Sequence, residues 1–146
     1  MKMQLTFVLI ACGAVLFSCK KDASQNKPAA CAVDMQHLAG SYRLTALQYK
    51  ASATAAPVDY LAFMEDCEKD DILTLKSDGS YTYDDAGAVC EPSRSGTGTW
   101  QLKDHTLTSD GELNGTVASF DCKTLAYYVE NAIKPGDKLT FTMVKQ

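Results

Sequence analysis

From residue 72 to residue 145 the chain is cut by turn-forming clusters into short stretches in which apolar and polar residues alternate. No other feature constrains the fold as much. Alternation of period two puts successive side chains on opposite faces of a strand. Leu73 and Leu75 share one face of residues 72–76, and Ser77-Asp78-Gly79-Ser80 turns the chain. Tyr81-Thr82-Tyr83 then returns antiparallel, so the two segments form a hairpin. Further strands are predicted over 96–102 around Trp100, 105–109, 116–122, 125–133 and 138–145. Lys103-Asp104, Asp110-Gly111, Asn114-Gly115 and Pro135-Gly136-Asp137 supply turn signals along this stretch. An earlier strand carries Tyr42, Leu44, Leu47 and Tyr49, with a bulge near Ala46 where the alternation slips. Residues 51–67 read as a loop plus a short helix, and 84–95 as a loop containing Cys90 and Pro92. Asp34 is placed to cap a short helical turn over 35–39, before Gly40.

About eight strands joined by short turns, with no βαβ alternation and no repeat, predict an all-β fold. The expected architecture is an antiparallel up-and-down meander that closes into a barrel, or packs as a sandwich. Tyr42, Leu44, Leu73, Leu75, Tyr81, Tyr83, Trp100, Leu102, Leu107, Leu125, Tyr127, Leu139, Phe141 and Met143 are expected to line the interior. Tyr127 and Tyr128 are adjacent, so one ring faces the core and the other solvent.

The N-terminus is of a different kind. Lys2 precedes an uncharged apolar run over residues 5–17, too short for a spanning helix but fitting a secretory signal. Leu16-Phe17-Ser18-Cys19 resembles the bacterial lipobox, in which the cysteine thiol takes a diacylglyceryl group before cleavage. The expected organisation is a signal peptide over 1–18, a lipidated flexible tether over 19–33 and a barrel domain over 34–146. The expected address is the cell envelope, with lipid on Cys19 as the membrane partner and the outer membrane as the membrane. Lys20-Lys21-Asp22 carries a single acid, so surface exposure is not implied.

Without Cys12 and the lipid-bearing Cys19, four cysteines remain: Cys31, Cys67, Cys90 and Cys122. An even number in an exported domain points to disulfides, and four cysteines allow three connectivities. Cys67–Cys90 would close one excursion between neighbouring strands, and Cys31–Cys122 would pin the start of the domain to a late strand. This pairing is favoured among the three. Chain-entropy estimates give the two bonds roughly 3 and 4.5 kcal/mol. A zinc site would need closer cysteine pairs or more histidine than His37 and His105 provide.

Little else in the chain suggests chemistry. Loss of Lys2 from 14 basic residues leaves 13 against 18 acidic ones, with no basic patch. Nucleic acid is therefore not an expected partner. No G-x-S-x-G, H-E-x-x-H or C-x-x-C accompanies the two histidines, and Gly96-Thr97-Gly98 leads into a strand, not a phosphate-binding helix. Glu65-Asp66-Cys67-Glu68-Lys69-Asp70-Asp71 is dense in acid, but it lacks the spacing of a calcium loop and reads as a solvated strand start. No enzyme activity, cofactor or metal is expected.

A family resemblance adds to this. Leu38-Ala39-Gly40-Ser41-Tyr42-Arg43-Leu44 is followed by Cys67-Glu68-Lys69-Asp70-Asp71-Ile72-Leu73-Thr74-Leu75 and Asp78-Gly79-Ser80-Tyr81. Cys90 and Gly98-Thr99-Trp100-Gln101-Leu102 come next. The order resembles the lipocalin-like domain of small Bacteroidetes-type lipoproteins over residues 35–145. The resemblance implies an eight-stranded meander closing into a barrel or half-barrel, and supports the Cys67–Cys90 pairing. Lipocalins proper carry Gly-x-Trp on the first strand, where this chain has Gly40-Ser41-Tyr42. Tyrosine can plug a barrel end when its hydroxyl finds a partner.

An eight-stranded barrel either fills with side chains or holds one small ligand. The first expectation is a non-enzymatic, membrane-anchored module binding a small apolar ligand. Its cavity candidates are Tyr42, Leu44, Leu75, Tyr83, Trp100, Tyr127 and Phe141. The alternative is a filled-core module that contacts an envelope protein.

Overall fold

The computed structural model describes residues 31–146. The expected signal peptide, Cys19 and residues 20–30 of the tether lie outside the described residues. A short helix α1 (Met35–Leu38) is capped by Asp34, whose carboxylate accepts from the His37 N–H at 2.8 Å. Nine strands follow: β1 (Gly40–Lys50), β2 (Val58–Asp59), β3 (Ile72–Leu75), β4 (Ser80–Asp84), β5 (Gly96–Lys103), β6 (Thr106–Ser109), β7 (Leu113–Phe120), β8 (Thr124–Glu130) and β9 (Lys138–Lys145). A 3-10 turn (Leu61–Phe63) and helix α2 (Asp66–Lys69) lie between β2 and β3.

Every neighbouring pair is antiparallel, and β1 pairs with both β3 and β9. The sheet therefore closes on itself as an eight-stranded barrel, with β2 outside the ring as a short strand on the far half of β1. Closure leaves the eight staves no long free edge. The bulge expected near Ala46 is present: the β1–β9 register shifts between Leu44 and Ala46. Tyr42 and Leu44 point inward before the shift and Leu47 after it, so one long strand can bend around the barrel without turning its apolar side out.

The eight expected strands correspond to the eight staves. One turn signal does not hold. Asn114-Gly115 lies inside β7, with Gly115 opposite Leu107. A Cβ on Gly115 would sit 2.9 Å from the Tyr127 ring, so this glycine gives room to a core aromatic instead of turning the chain. The strand predicted over 125–133 stops at Glu130, because Asn131 takes a left-handed φ of 56° and starts the turn to β9.

The core contains Leu38, Tyr42, Leu75, Trp100, Leu107, Leu125, Tyr127 and Met143. Leu47, Val117, Phe120 and Val129 are also buried and were not among the expected interior residues. Leu44, Leu73, Tyr81, Leu102 and Phe141 are partly buried around it. Tyr128 faces outward, with the Lys138 ammonium 3.9 Å from its ring centroid. Both disulfides form as favoured: Cys31–Cys122, with Cα atoms 5.1 Å apart, and Cys67–Cys90, at 5.3 Å. Cys31 also donates its N–H to the Phe120 carbonyl, a second tie beside the Cys31–Cys122 bond.

Candidate functional site: a barrel closed at one end

The meander places α1 and the β3–β4, β5–β6 and β7–β8 turns at one end of the barrel. Residues 51–71, the β4–β5 loop and the β6–β7 and β8–β9 turns lie at the other. The α1 end is sealed. Leu38 and Tyr42 are completely buried. The Tyr42 hydroxyl donates to the Leu38 carbonyl at 2.6 Å, which supplies the partner a buried phenol needs. Burial pushes the Tyr42 phenol well above its usual range. Trp100 donates its indole N–H to the Lys76 carbonyl at 2.8 Å. Lys145 lies across the end, 5.6 Å from the Tyr42 ring centroid and 5.2 Å from that of Phe120, and donates to the His37 carbonyl.

Toward the other end the barrel opens into two adjoining chambers. The larger, about 370 Å³, is walled by Leu73, Leu75, Trp100, Leu107, Leu125, Tyr127 and Met143, with Tyr81, Tyr83, Arg94 and Thr97 on its upper wall. The smaller, about 180 Å³, lies among Leu44, Leu47, Met64, Phe141, Glu68 and Asp71. Leu73, Tyr83, Tyr127 and Met143 line both. The Tyr127 and Phe141 rings stack with centroids 4.7 Å apart and planes 4° from parallel. Burial raises the Tyr127 phenol to about 12, so it is neutral at physiological pH.

The acid-rich segment and the β4–β5 loop form the rim. Disulfide Cys67–Cys90 joins them. Asp70 accepts from the Ala88 N–H at 3.0 Å. Asp85 accepts from the N–H groups of Cys90 and Arg94. The Arg94 N–H is the main cause that holds the Asp85 carboxyl below its usual range. Glu68 pairs with the Arg94 guanidinium and accepts from the Glu65 N–H. Asp71 accepts from the Tyr83 hydroxyl at 2.7 Å. Two of the segment's five acids, Glu68 and Asp70, thus tie the loop down. Glu65, Cys67 and Cys90 converge with metal-like spacing, but the two sulfurs are bonded to each other and offer no thiolate.

Of the seven cavity candidates, Leu75, Tyr83, Trp100 and Tyr127 line the larger chamber. Leu44, Tyr83, Tyr127 and Phe141 line the smaller. Tyr42 lines neither: it is fully buried near the start of β1 in the sealed end, with its hydroxyl on the Leu38 carbonyl. Asp71, Glu68, Met64 and Arg94 were not anticipated as lining residues. Asp71 had a legible signal, since it precedes Leu73 and Leu75 at spacing two and so shares their inward face. Arg94 had none, because only the folded loop carries it to the rim. His37 pairs with Asp34 on α1, and neither His37 nor His105 lines a chamber.

Residues 38–127 match the family model described as lipocalin-like domain, a span of more than half the chain. The chain belongs to the lipocalin-like domain family. No curated protein and no solved structure matches it. The family match takes in the sealing residues Leu38 and Tyr42, the rim segment with both members of Cys67–Cys90, and Trp100. The last strand and Phe141 lie beyond it. A lipocalin-like barrel fold suits a small-ligand-binding module.

Proposed function

We propose that this lipocalin-like domain is a non-enzymatic binding module that takes a small apolar ligand into the barrel, and that lipid on Cys19 holds it in the cell envelope, at the outer membrane. The observation that carries the binding reading is the larger chamber. Its volume of about 370 Å³ falls within the range of small-molecule pockets, and its deep wall is made by Leu73, Leu75, Trp100, Leu107, Leu125 and Met143. The lipid reading rests on Leu16-Phe17-Ser18-Cys19. The described chain starts at the sealed end, where Cys31 is bonded to Cys122. The open end is therefore opposite the point from which a tether would leave.

The binding test is a thermal-shift panel of fatty acids and neutral apolar compounds against the purified chain, alongside Leu73→Trp. Leu73 borders both chambers, and a larger ring there fills the space between them. Hits should stabilise the protein through mass action and lose at least about tenfold in affinity in the variant. A panel without a single shift refutes the reading. For the anchor, Cys19→Ala should move the protein out of the membrane fraction, and retention of the variant there refutes it.

A filled-core interaction module is the second reading, and one observation favours it. Tyr60 and Phe63 form an aromatic pair 6.0 Å apart outside the barrel, and Phe63 is 73% exposed. The two chambers weigh against a filled core.

A further inference from the structure

We propose that the ligand of the barrel carries an ammonium group on a small apolar body, and that Asp71 receives that group. The inference rests on the binding reading above and names the chemistry of the ligand. Asp71 sits one residue before β3, is only 5% exposed and lines the smaller chamber. One of its carboxylate oxygens, Oδ2, accepts from the Tyr83 hydroxyl at 2.7 Å. The other, Oδ1, is buried without a hydrogen-bond partner among the described residues. Buried polar atoms are nearly always partnered, and an unpartnered acceptor is costliest when it carries charge. A donor entering the chamber would supply the missing bond.

The surrounding charges select the kind of donor. Glu68 is the other charged residue of this chamber, and both its oxygens are engaged, one by the Arg94 guanidinium and one by the Glu65 N–H. Arg94 is thereby spent on Glu68. No lysine or arginine lines the smaller chamber among the described residues, and the Arg94 of the adjoining chamber is paired with Glu68 and not with Asp71. An ammonium group satisfies both the free oxygen and the charge, a hydroxyl satisfies the oxygen alone, and a carboxylate is repelled. Leu44, Leu47, Met64 and Phe141 beside Asp71 leave apolar wall for the rest of the molecule.

The test is calorimetric titration of the full chain with n-octylamine, n-octanol and octanoate, three probes with the same chain length. Octylamine should bind at least about tenfold tighter than octanol, and octanoate weakest. Asp71→Asn should collapse the octylamine-to-octanol ratio toward one. Tyr83→Phe removes the competing phenol without removing the carboxylate, and should raise the ratio. It also keeps the proposal testable if Asp71→Asn fails to fold. Octanol binding as tightly as octylamine, or a ratio unmoved by Asp71→Asn, overturns the assignment of an ammonium ligand while leaving the barrel a binding site. A lower ratio in Tyr83→Phe has the same consequence. Binding of none of the three overturns the binding reading itself.

Discussion

Breaking the two disulfides one at a time should cost unequal amounts, in the order set by the loops they close. Cys67 and Cys90 are separated by 23 residues, Cys31 and Cys122 by 91. A cross-link removes loop entropy from the unfolded chain as the logarithm of loop length, which gives about 3.4 and about 4.6 kcal/mol. A folded unit of this size unfolds with an entropy of about 0.24 kcal/mol/K, so the losses correspond to about 14 and about 19 °C in Tm. The native contacts around the shorter loop sharpen the comparison. The Glu68–Arg94 pair, the Asp70–Ala88 bond and the bonds from Asp85 remain when Cys67–Cys90 is reduced, so the β4–β5 loop stays docked. The loss is then mainly an effect on the unfolded chain. The assay is thermal unfolding by circular dichroism of two variants, Cys31→Ala/Cys122→Ala and Cys67→Ala/Cys90→Ala, each before and after reduction. Reduction leaves the sulfur atoms of the remaining pair in place, so no buried volume is lost. If reducing Cys67–Cys90 costs as much as reducing Cys31–Cys122, or more, loop entropy does not set the order and the reasoning fails.

Tyr42→Phe should destabilise the domain by about 1–2 kcal/mol, because it leaves the buried Leu38 carbonyl without its donor; a lower urea midpoint at unchanged slope checks it. Stability should also fall in acid, partly through Asp137, which is 2% exposed at the β8–β9 turn. Burial pushes its carboxyl up, but the N–H groups of Lys134, Ile133 and Ala132 and the Tyr49 hydroxyl offset this and hold it below the usual range. A carboxyl lowered in the folded state stabilises the fold fully above the unfolded value of 3.8. That contribution is lost as the pH falls through the lower folded value. Asp137→Asn should therefore flatten the acid limb of a Tm-against-pH curve without abolishing it, since Asp34, Asp66, Asp78, Asp85, Asp110 and Asp121 are lowered as well.

The staves of the barrel were legible because period-two alternation is a local property. Leu139, Phe141 and Met143 need no knowledge of their partners to be read as one face of a strand. The bulge at Ala46 was legible for the same reason, as a slip in that alternation. Asn114-Gly115 misled because its meaning is not local. The dipeptide favours a turn in isolation, while the reason for glycine there is the Tyr127 ring on the neighbouring strand. Residues 51–71 were legible only in outline, as a loop plus a short helix over 51–67, because they neither alternate nor repeat. Of their two short helical turns, α2 is closed by a capping box between Glu65 and Glu68, and both lie against β1.

The site divides along the same line. Its apolar wall follows from alternation, so Leu75, Trp100, Tyr127 and Phe141 could be named in advance. Its polar rim depends on which groups find partners after folding. Seven residues from Glu65 to Asp71 include five acids, and composition alone makes those five equivalent. The fold separates them. Asp66 stays in solvent beside Lys69, Asp70 and Glu68 hold the β4–β5 loop, and Glu65 caps α2. Asp71 alone shares the inward phase of Leu73 and Leu75 and is carried into the barrel wall. The alternation that builds the strand thus also buries the carboxylate: had the strand begun one residue later in phase, Asp71 would face water and the smaller chamber would keep only Glu68, already paired with Arg94, as a charged residue.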